Sequence, residues 1–434
     1  MARKVFISIL GVSYYNKTKY YLNEKAEHIE TRFIQHASLK LLAKNWDNND
    51  KAIFFLTEQA KSFNWNNPAQ TENYLVKIGE RDTYKGLSEI INNEKFPFAY
   101  EIVDIKNGNN EEEIWNIFEA VYNVLEEDDE VYFDITHAFR SIPMLVMVLI
   151  NYAKFLKNIK VKSITYGNWE GRDKDNYAPI INLTSFSELQ DWTSAANDFV
   201  NFGNADKLST LANSEIAPLA KKYKGNNETV NNLKQISKLL PVFIDNILTC
   251  RGKEITNNKE GKNLFEKLNS LKENIILPLS PILDKVKDTI KPFHKEDDLI
   301  NGFNAVKWCI NNNLIQQGFT ILQENIISSV CEEVQLDKNI KKNRNIVSSC
   351  FIICYNNINE DEWKGDAALH KEKTNEILRK SRIVKELSTE FYNLTTVRND
   401  INHYGYSENT MQPNKLKEKL REYFENISKK LKIY

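Results

Sequence analysis

Cysteine is scarce in these 434 residues: there are five, Cys250, Cys309, Cys331, Cys350 and Cys354. No two have the C-x-x-C spacing of a zinc site, and an odd, scattered set points to reduced thiols rather than a disulfide framework. Cys350 and Cys354 stand four apart in the apolar run SSCFIICY and read as buried helix-face thiols. An excess of one charge is lacking as well, since 58 Lys and Arg face 59 Asp and Glu. That balance excludes a surface coated in positive charge for indiscriminate nucleic-acid binding and leaves local basic patches open. No run approaches the roughly 18 apolar residues that cross a bilayer. The apolar stretch VFISIL is followed at once by Gly11 and polar residues, so it reads as a first strand rather than a signal peptide. The chain is expected to be cytoplasmic, with no membrane partner.

What is present describes a globular protein, with 41% hydrophobic and 27% charged residues, too long for one core of ordinary size. Within the first 170 residues, VFISIL (5–10), AIFFL (52–56), AYEIVDI (99–105), VYFDI (131–135) and VKSITYG (161–167) read as strands. Three of them are nearly continuous apolar runs, as expected for strands covered on both faces. Between them, residues 30–46, 111–125 and 141–156 carry apolar positions three and four apart. This alternation predicts a parallel sheet with helical crossovers, an α/β Rossmann-like N-terminal domain over 1–185. Helical periodicity then dominates. It predicts a helical linker region over 186–295, loops at KGNNET (224–229) and TNNKEGKN (256–263), a hinge at IKPFHKEDD (290–298), and an all-α C-terminal domain over 296–434. The charge runs EEDDE (126–130) and KNIKKNRN (338–345) read as solvated loops or helix ends.

Ligands of open α/β sheets sit beyond the carboxyl ends of the strands, and those ends are chemically loaded here. LGVSYYN (10–16) supplies Gly11, Ser13 and two tyrosines, and LTEQA (56–60) supplies Thr57. DITHAFRS (134–141) places Thr136, His137, Arg140 and Ser141 where a strand opens into a helix, a junction that attracts anions. Arg140 adds a permanent charge suited to phosphate, and Tyr14, Tyr15 and Tyr166 can stack on bases. With neither a G-x-G-x-x-G fingerprint nor a Walker A loop, simple NAD or ATP binding is not favoured. The plain alternative is a helix capped by Thr136 or Ser141, with Arg140 paired to a surface carboxylate.

A second constellation lies in STEFYNLTTVRNDINHYG (388–405), which reads as a helix burying Phe391, Leu394, Val397 and Ile401 and stopped by Gly405. Asn399 and His403 are i,i+4 neighbours, and the long side chain of Arg398 can reach back towards them. Histidine moves protons near neutral pH and arginine stabilises charge on a phosphate in flight. With no metal ligands nearby, the pair suits RNA cleavage by the substrate's own 2′-hydroxyl. The exposed polar face of an ordinary helix is the alternative on spacing alone.

Taken together, DITHAFRSIP with LGVSYYN and TYG, and VKWCINNNLIQQGFTILQENII (306–327) followed by RNDINH, resemble the CRISPR-associated CARF–HEPN ribonucleases, accessory enzymes of type III systems. The resemblance implies that residues 1–185 are a CARF sensor of cyclic oligoadenylate and 296–434 a HEPN ribonuclease domain. It implies a ligand site of Gly11, Ser13, Tyr14, Thr57, Thr136, His137, Ala138, Phe139, Arg140, Ser141, Tyr166 and Gly167. It further implies a homodimer, or a larger assembly of dimers, in which both copies of Arg398 and His403 build one cleft and Asn399 orients His403. Such an enzyme needs no cofactor or metal; its activator would be cyclic tetra- or hexa-adenylate and its substrate RNA. The family often has glycine where this chain has Ala138, which puts ring size and affinity in question. Two other functions stay open: a non-catalytic sensor or adaptor, and a nuclease in the sensor half using Thr57, Thr136 or His137 to cut the cyclic ligand.

Overall fold

The computed structural model describes residues 2–66, 84–137, 142–222, 228–271, 280–296, 298–406 and 410–433. The chain forms two compact units, Met1–Glu188 and Leu189–Tyr434.

The N-terminal unit is built on an eight-stranded sheet: β1 (Lys4–Leu10), β2 (Thr18–Tyr21), β3 (Ile29–Thr31), β4 (Lys51–Leu56), β5 (Ala99–Asp104), β6 (Glu130–Asp134), β7 (Lys160–Gly167) and β8 (Tyr177–Asn182). Their order is β3-β2-β8-β7-β6-β1-β4-β5. The five strands β7, β6, β1, β4 and β5 run parallel, with β8 antiparallel to β7 and β3 antiparallel to β2. From β1 the chain winds outward through β4 and β5, then returns to β6 and β7 on the other side. The order therefore reverses between β1 and β6, and the switch point of the sheet lies there.

Both faces of this sheet are covered, which explains the unbroken apolar runs. In β1, Val5, Ile7 and Ile9 pack with Val131 and Phe133 and with residues of helices Glu111–Val124 and Ile142–Lys157. Phe6 and Leu10 point the other way, towards Phe54 and helices Ile34–Leu42 and Leu87–Glu94. Each such side chain, fully buried, contributes about 1.5–3 kcal/mol. The five expected strands and the three helices between them are present. β2, β3, β8 and helix Leu87–Glu94 were not foreseen.

The second unit is helical. Its core takes in residues from both sides of position 295, including Phe243, Phe293, Phe303, Trp308, Phe351 and Phe391. Two expected irregular stretches are ordered at their described residues. TNNKEGKN is a corner between helices Gly252–Asn257 and Lys259–Asn269, turned at Asn258 with φ of 54°. Asparagine tolerates that left-handed backbone, and its Nδ2 donates to the carbonyls of Phe293 at 2.6 Å and Lys295 at 2.8 Å. The expected hinge IKPFHKEDD is pinned by Phe293, whose ring lies 4.9 Å from that of Phe243.

The charge runs are less solvated than expected. Asp129 of EEDDE is buried and accepts from Arg3 Nε at 3.0 Å and Nη2 at 2.7 Å. Arg344 of KNIKKNRN donates to the Glu324 carboxylate at 2.6 Å and carbonyl at 2.8 Å. Cys350 is fully buried and Cys354 half-buried.

Candidate functional site

At the switch point, the ends of β1 and β6 are tied together by a buried carboxylate. Ser8 and Asp134 face each other in register, and Ser8 Oγ donates to Asp134 Oδ2 at 2.7 Å. Asp134 Oδ1 accepts from Thr136 Oγ1 at 2.5 Å and from the Thr136 amide at 3.2 Å. Thr136 Oγ1 in turn accepts from the Gly167 amide at 2.8 Å, which ties in the end of β7. Burial pushes the Asp134 carboxyl above its ordinary range, while the bonds from Thr136 and Ser8 pull against that shift.

Above this tie, Tyr15 and His137 stack with ring centroids 4.3 Å apart. The Tyr15 hydroxyl and His137 Nε2 are buried without a hydrogen-bond partner, an expensive arrangement that marks a place a polar ligand atom can fill. Burial pushes the His137 imidazole down to about 4 and raises the Tyr15 phenol. The imidazole is therefore neutral at ordinary pH. Gly11 lies against the pair: a Cβ there would stand 2.4 Å from Tyr15 Oη and 3.3 Å from His137 Cβ. The chain must be bare just past β1 for the aromatic ring to pass.

The loop after β1 is held from outside. Asn64 Nδ2 donates to the carbonyls of Gly11 at 2.8 Å and Ser13 at 2.9 Å, while its Oδ1 accepts from Tyr84 Oη at 2.5 Å. The buried Arg32 donates to Tyr14 Oη at 2.7 Å and to the Tyr15 carbonyl at 3.0 Å, with its guanidinium 5.4 Å from the Tyr14 and Tyr84 ring centres.

Of the expected ligand residues, the structure thus gathers Gly11, Tyr14, Thr136, His137 and Gly167 at the switch-point end of the sheet. Ser13 is exposed and Tyr166 half-buried. Thr57 is buried and caps the short helix Glu58–Ala60, its Oγ1 accepting from the Ala60 amide at 3.2 Å. Ala138, Phe139, Arg140 and Ser141 lie outside the described residues. Sequence reasoning overlooked Ser8, Arg32, Asn64, Tyr84 and Asp134. For Ser8 and Asp134 a signal existed, since each interrupts the apolar run of its strand, Ser8 within VFISIL and Asp134 within VYFDI.

The second constellation sits on helix Arg382–Asn402. Ser381 caps its start by accepting from the Val384 amide at 3.0 Å, and Phe391, Leu394 and Val397 are buried on one face. His403 caps its end, its amide donating to the Asn399 carbonyl at 2.8 Å. Tyr404 and Gly405 follow with φ of 64° and 71°, and the Gly405 amide donates back to the Asp400 carbonyl at 2.9 Å. This left-handed turn stops the helix. The His403 and Asn399 side chains are exposed and Arg398 is half-buried. Arg398 Nε is buried without a hydrogen-bond partner. Its charge reaches Cys250, whose thiol burial pushes up and Arg398 pulls back down. One helix end therefore carries an exposed imidazole five residues after a half-buried arginine whose Nε is unpaired. Such groups can move a proton and hold an anionic oxygen. Among the described residues, no three His, Cys, Asp or Glu side chains gather as a metal ion would require, and no helix is long and apolar enough to cross a membrane.

Comparison with known proteins adds two family matches. Residues 5–170 match the family described as CRISPR system endoribonuclease Csx1, CARF domain. Residues 188–295 match CRISPR-associated protein MJ1674, second domain. Among curated proteins, CRISPR-associated protein MJ1674 of Methanocaldococcus jannaschii is 28% identical over 257 residues, which cover 58% of this chain and 37% of that relative. The similarity thus spans little more than a third of the relative's length. Both family matches fall before Arg398, so the second constellation stands on its own geometry.

Proposed function

We propose that this chain, whose residues 5–170 match a CARF domain of CRISPR-associated proteins, is a ribonuclease of type III CRISPR defence switched on by a cyclic oligoadenylate. The observation that carries the reading is the exposed His403 at a helix end whose Arg398 keeps an unused, buried Nε donor.

The chemistry is a transesterification within the RNA. The 2′-oxygen bonds to phosphorus while the bond from phosphorus to the next nucleotide's 5′-oxygen breaks. One imidazole takes the 2′-hydroxyl proton, and the imidazolium of a second copy gives a proton to the departing 5′-oxygen. Arg398 stabilises the charge on the non-bridging oxygens, and Asn399, one turn before His403, orients it. The products are a 2′,3′-cyclic phosphate and a 5′-hydroxyl.

Two copies are needed to supply both proton carriers, and an exposed apolar stripe supports their pairing. Helix Ile142–Lys157 leaves Met144 74%, Val148 55% and Phe155 87% exposed, with Tyr152 between them and Trp115 on a neighbouring helix. A monomer seldom leaves such a stripe in water, and a helix face can pair with its own copy about a two-fold axis. The cyclic nucleotide would dock at the switch point. Tyr15 Oη and His137 Nε2 would gain partners there, and Arg140 lies in the sequence at that strand end to meet a phosphate. Binding shifts the cleavage cleft only by its differential affinity for two arrangements of the dimer.

The reading is tested by the ends it leaves. RNA incubated with protein, cyclic oligoadenylate and EDTA should yield fragments bearing a 2′,3′-cyclic phosphate. A requirement for divalent metal, or fragments ending in a 3′-hydroxyl, would reject it.

A further inference from the structure

Beside His403 the surface carries two tyrosines that nothing in the proposed chemistry uses. Tyr404 and Tyr406 are 88% and 89% exposed. Their rings are nearly parallel, 6.1 Å between centroids with 22° between planes, so each keeps an open face. A second ring pair lies further back, between helix Arg382–Asn402 and helix Lys341–Asn356. Tyr392 stacks on Tyr355 at 4.1 Å and 14°, and both remain more than a third exposed. Tyr392, Thr396, Asn399 and His403 are spaced four, three and four apart and all are exposed. They form one row of about 16 Å at 1.5 Å rise per residue, with aromatic pairs at its two ends and the imidazole next to one of them.

We infer that this row is the path of single-stranded RNA, with Tyr404 and Tyr406 as the platform on which a base next to the cleaved phosphate stacks. The inference rests on the ribonuclease reading and names what that site grips. Stacking on an aromatic ring tolerates every base because every base has a flat face, which suits a strand read without strict sequence. The platform also solves a positional problem. A phosphate held by arginine alone is free to swivel, whereas a neighbouring base held flat fixes the line of the 2′-oxygen, phosphorus and departing 5′-oxygen. Tyr404 and Tyr406 are thus positioning residues, and the proton stays with His403. The competing occupant is a second copy of this chain, with the tyrosines as a subunit contact.

The experiment uses the full chain with cyclic oligoadenylate and a short fluorescein-labelled single-stranded RNA. Binding is read by anisotropy on the His403→Ala background and cleavage on the otherwise unchanged protein. Tyr404→Ala and Tyr406→Ala should each weaken RNA binding about 5- to 140-fold, the range of one lost base stack. They should raise KM and leave the oligomeric mass as it was. The penalty should vanish on an RNA whose base next to the cleaved bond is missing, because nothing is then left to stack. Cleavage that depends on His403 but has unchanged KM and binding in both variants overturns the platform and leaves the ribonuclease reading standing. A change in sedimenting mass assigns the tyrosines to a subunit contact and also overturns it. Absence of any His403-dependent cleavage removes both together.

Discussion

Gly11→Ala is the sharpest probe of the switch point. Its φ lies outside the left-handed region, so alanine is tolerated by the backbone and the cost is steric. The new methyl would stand 2.4 Å from Tyr15 Oη, where ordinary contact begins at 3.4 Å, so the ring must retreat by 3.4 − 2.4 = 1.0 Å. It has little room. His137 stacks on it at 4.3 Å and Phe33 meets it edge-on at 5.8 Å. Overpacking of this kind costs about 1–3 kcal/mol, and a domain of this size loses roughly 2–4 °C of melting temperature per kcal/mol. Tyr15→Phe by itself should cost little, because the hydroxyl it deletes has no partner. Combined with Gly11→Ala it removes the closest contact, so the double variant should recover much of the loss, with a coupling of about 0.5–3 kcal/mol. Thermal melts of the four proteins, followed by titration with cyclic oligoadenylate, complete the cycle. An unshifted melt for Gly11→Ala, or no rescue by Tyr15→Phe, would refute the packing argument.

Two further outcomes follow from the same geometry. The His137 imidazole is pushed down to about 4 by burial, below the roughly 6.5 of an unfolded chain. The unfolded state therefore binds the extra proton first, and stability present above about pH 6.5 drains as pH falls towards 4. The slope is at most about 1.4 kcal/mol per pH unit; His137→Leu should lack this component in denaturant midpoints measured across that window. Phe155→Glu puts a charge on the apolar stripe of helix Ile142–Lys157 and should convert dimer to monomer in sedimentation velocity, and with it abolish RNA cleavage. Unchanged mass would place the subunit contact elsewhere.

The central strands were legible because both faces of β1, β4 and β6 are buried, so burial writes a run of apolar residues. β2, β3 and β8 escaped notice for the opposite reason. TKYY and IET are short, YAPIIN is interrupted by Pro179 and ends on Asn182, and all three lie at one margin of the sheet. β2 pairs with β8, more than 150 residues away, only after the chain has folded. The Arg398–His403 constellation could be read directly because one helix carries it. The shell that holds the switch-point loop could not. Arg32, Asn64 and Tyr84 come from three separate segments, and topology alone brings them to Gly11, Tyr14 and Tyr15. The expected hinge at 290–298 misled because a proline and charges mark a break in the helix, while Phe293 in their midst is buried in a shared core.

The most direct measurement follows cleavage of labelled RNA by the full chain in EDTA, with and without cyclic tetra- or hexa-adenylate, beside His403→Ala. The account predicts cleavage that appears with one of the two rings and is lost in the variant. Equal cleavage by His403→Ala, or none by the unaltered chain with either ring, would contradict it.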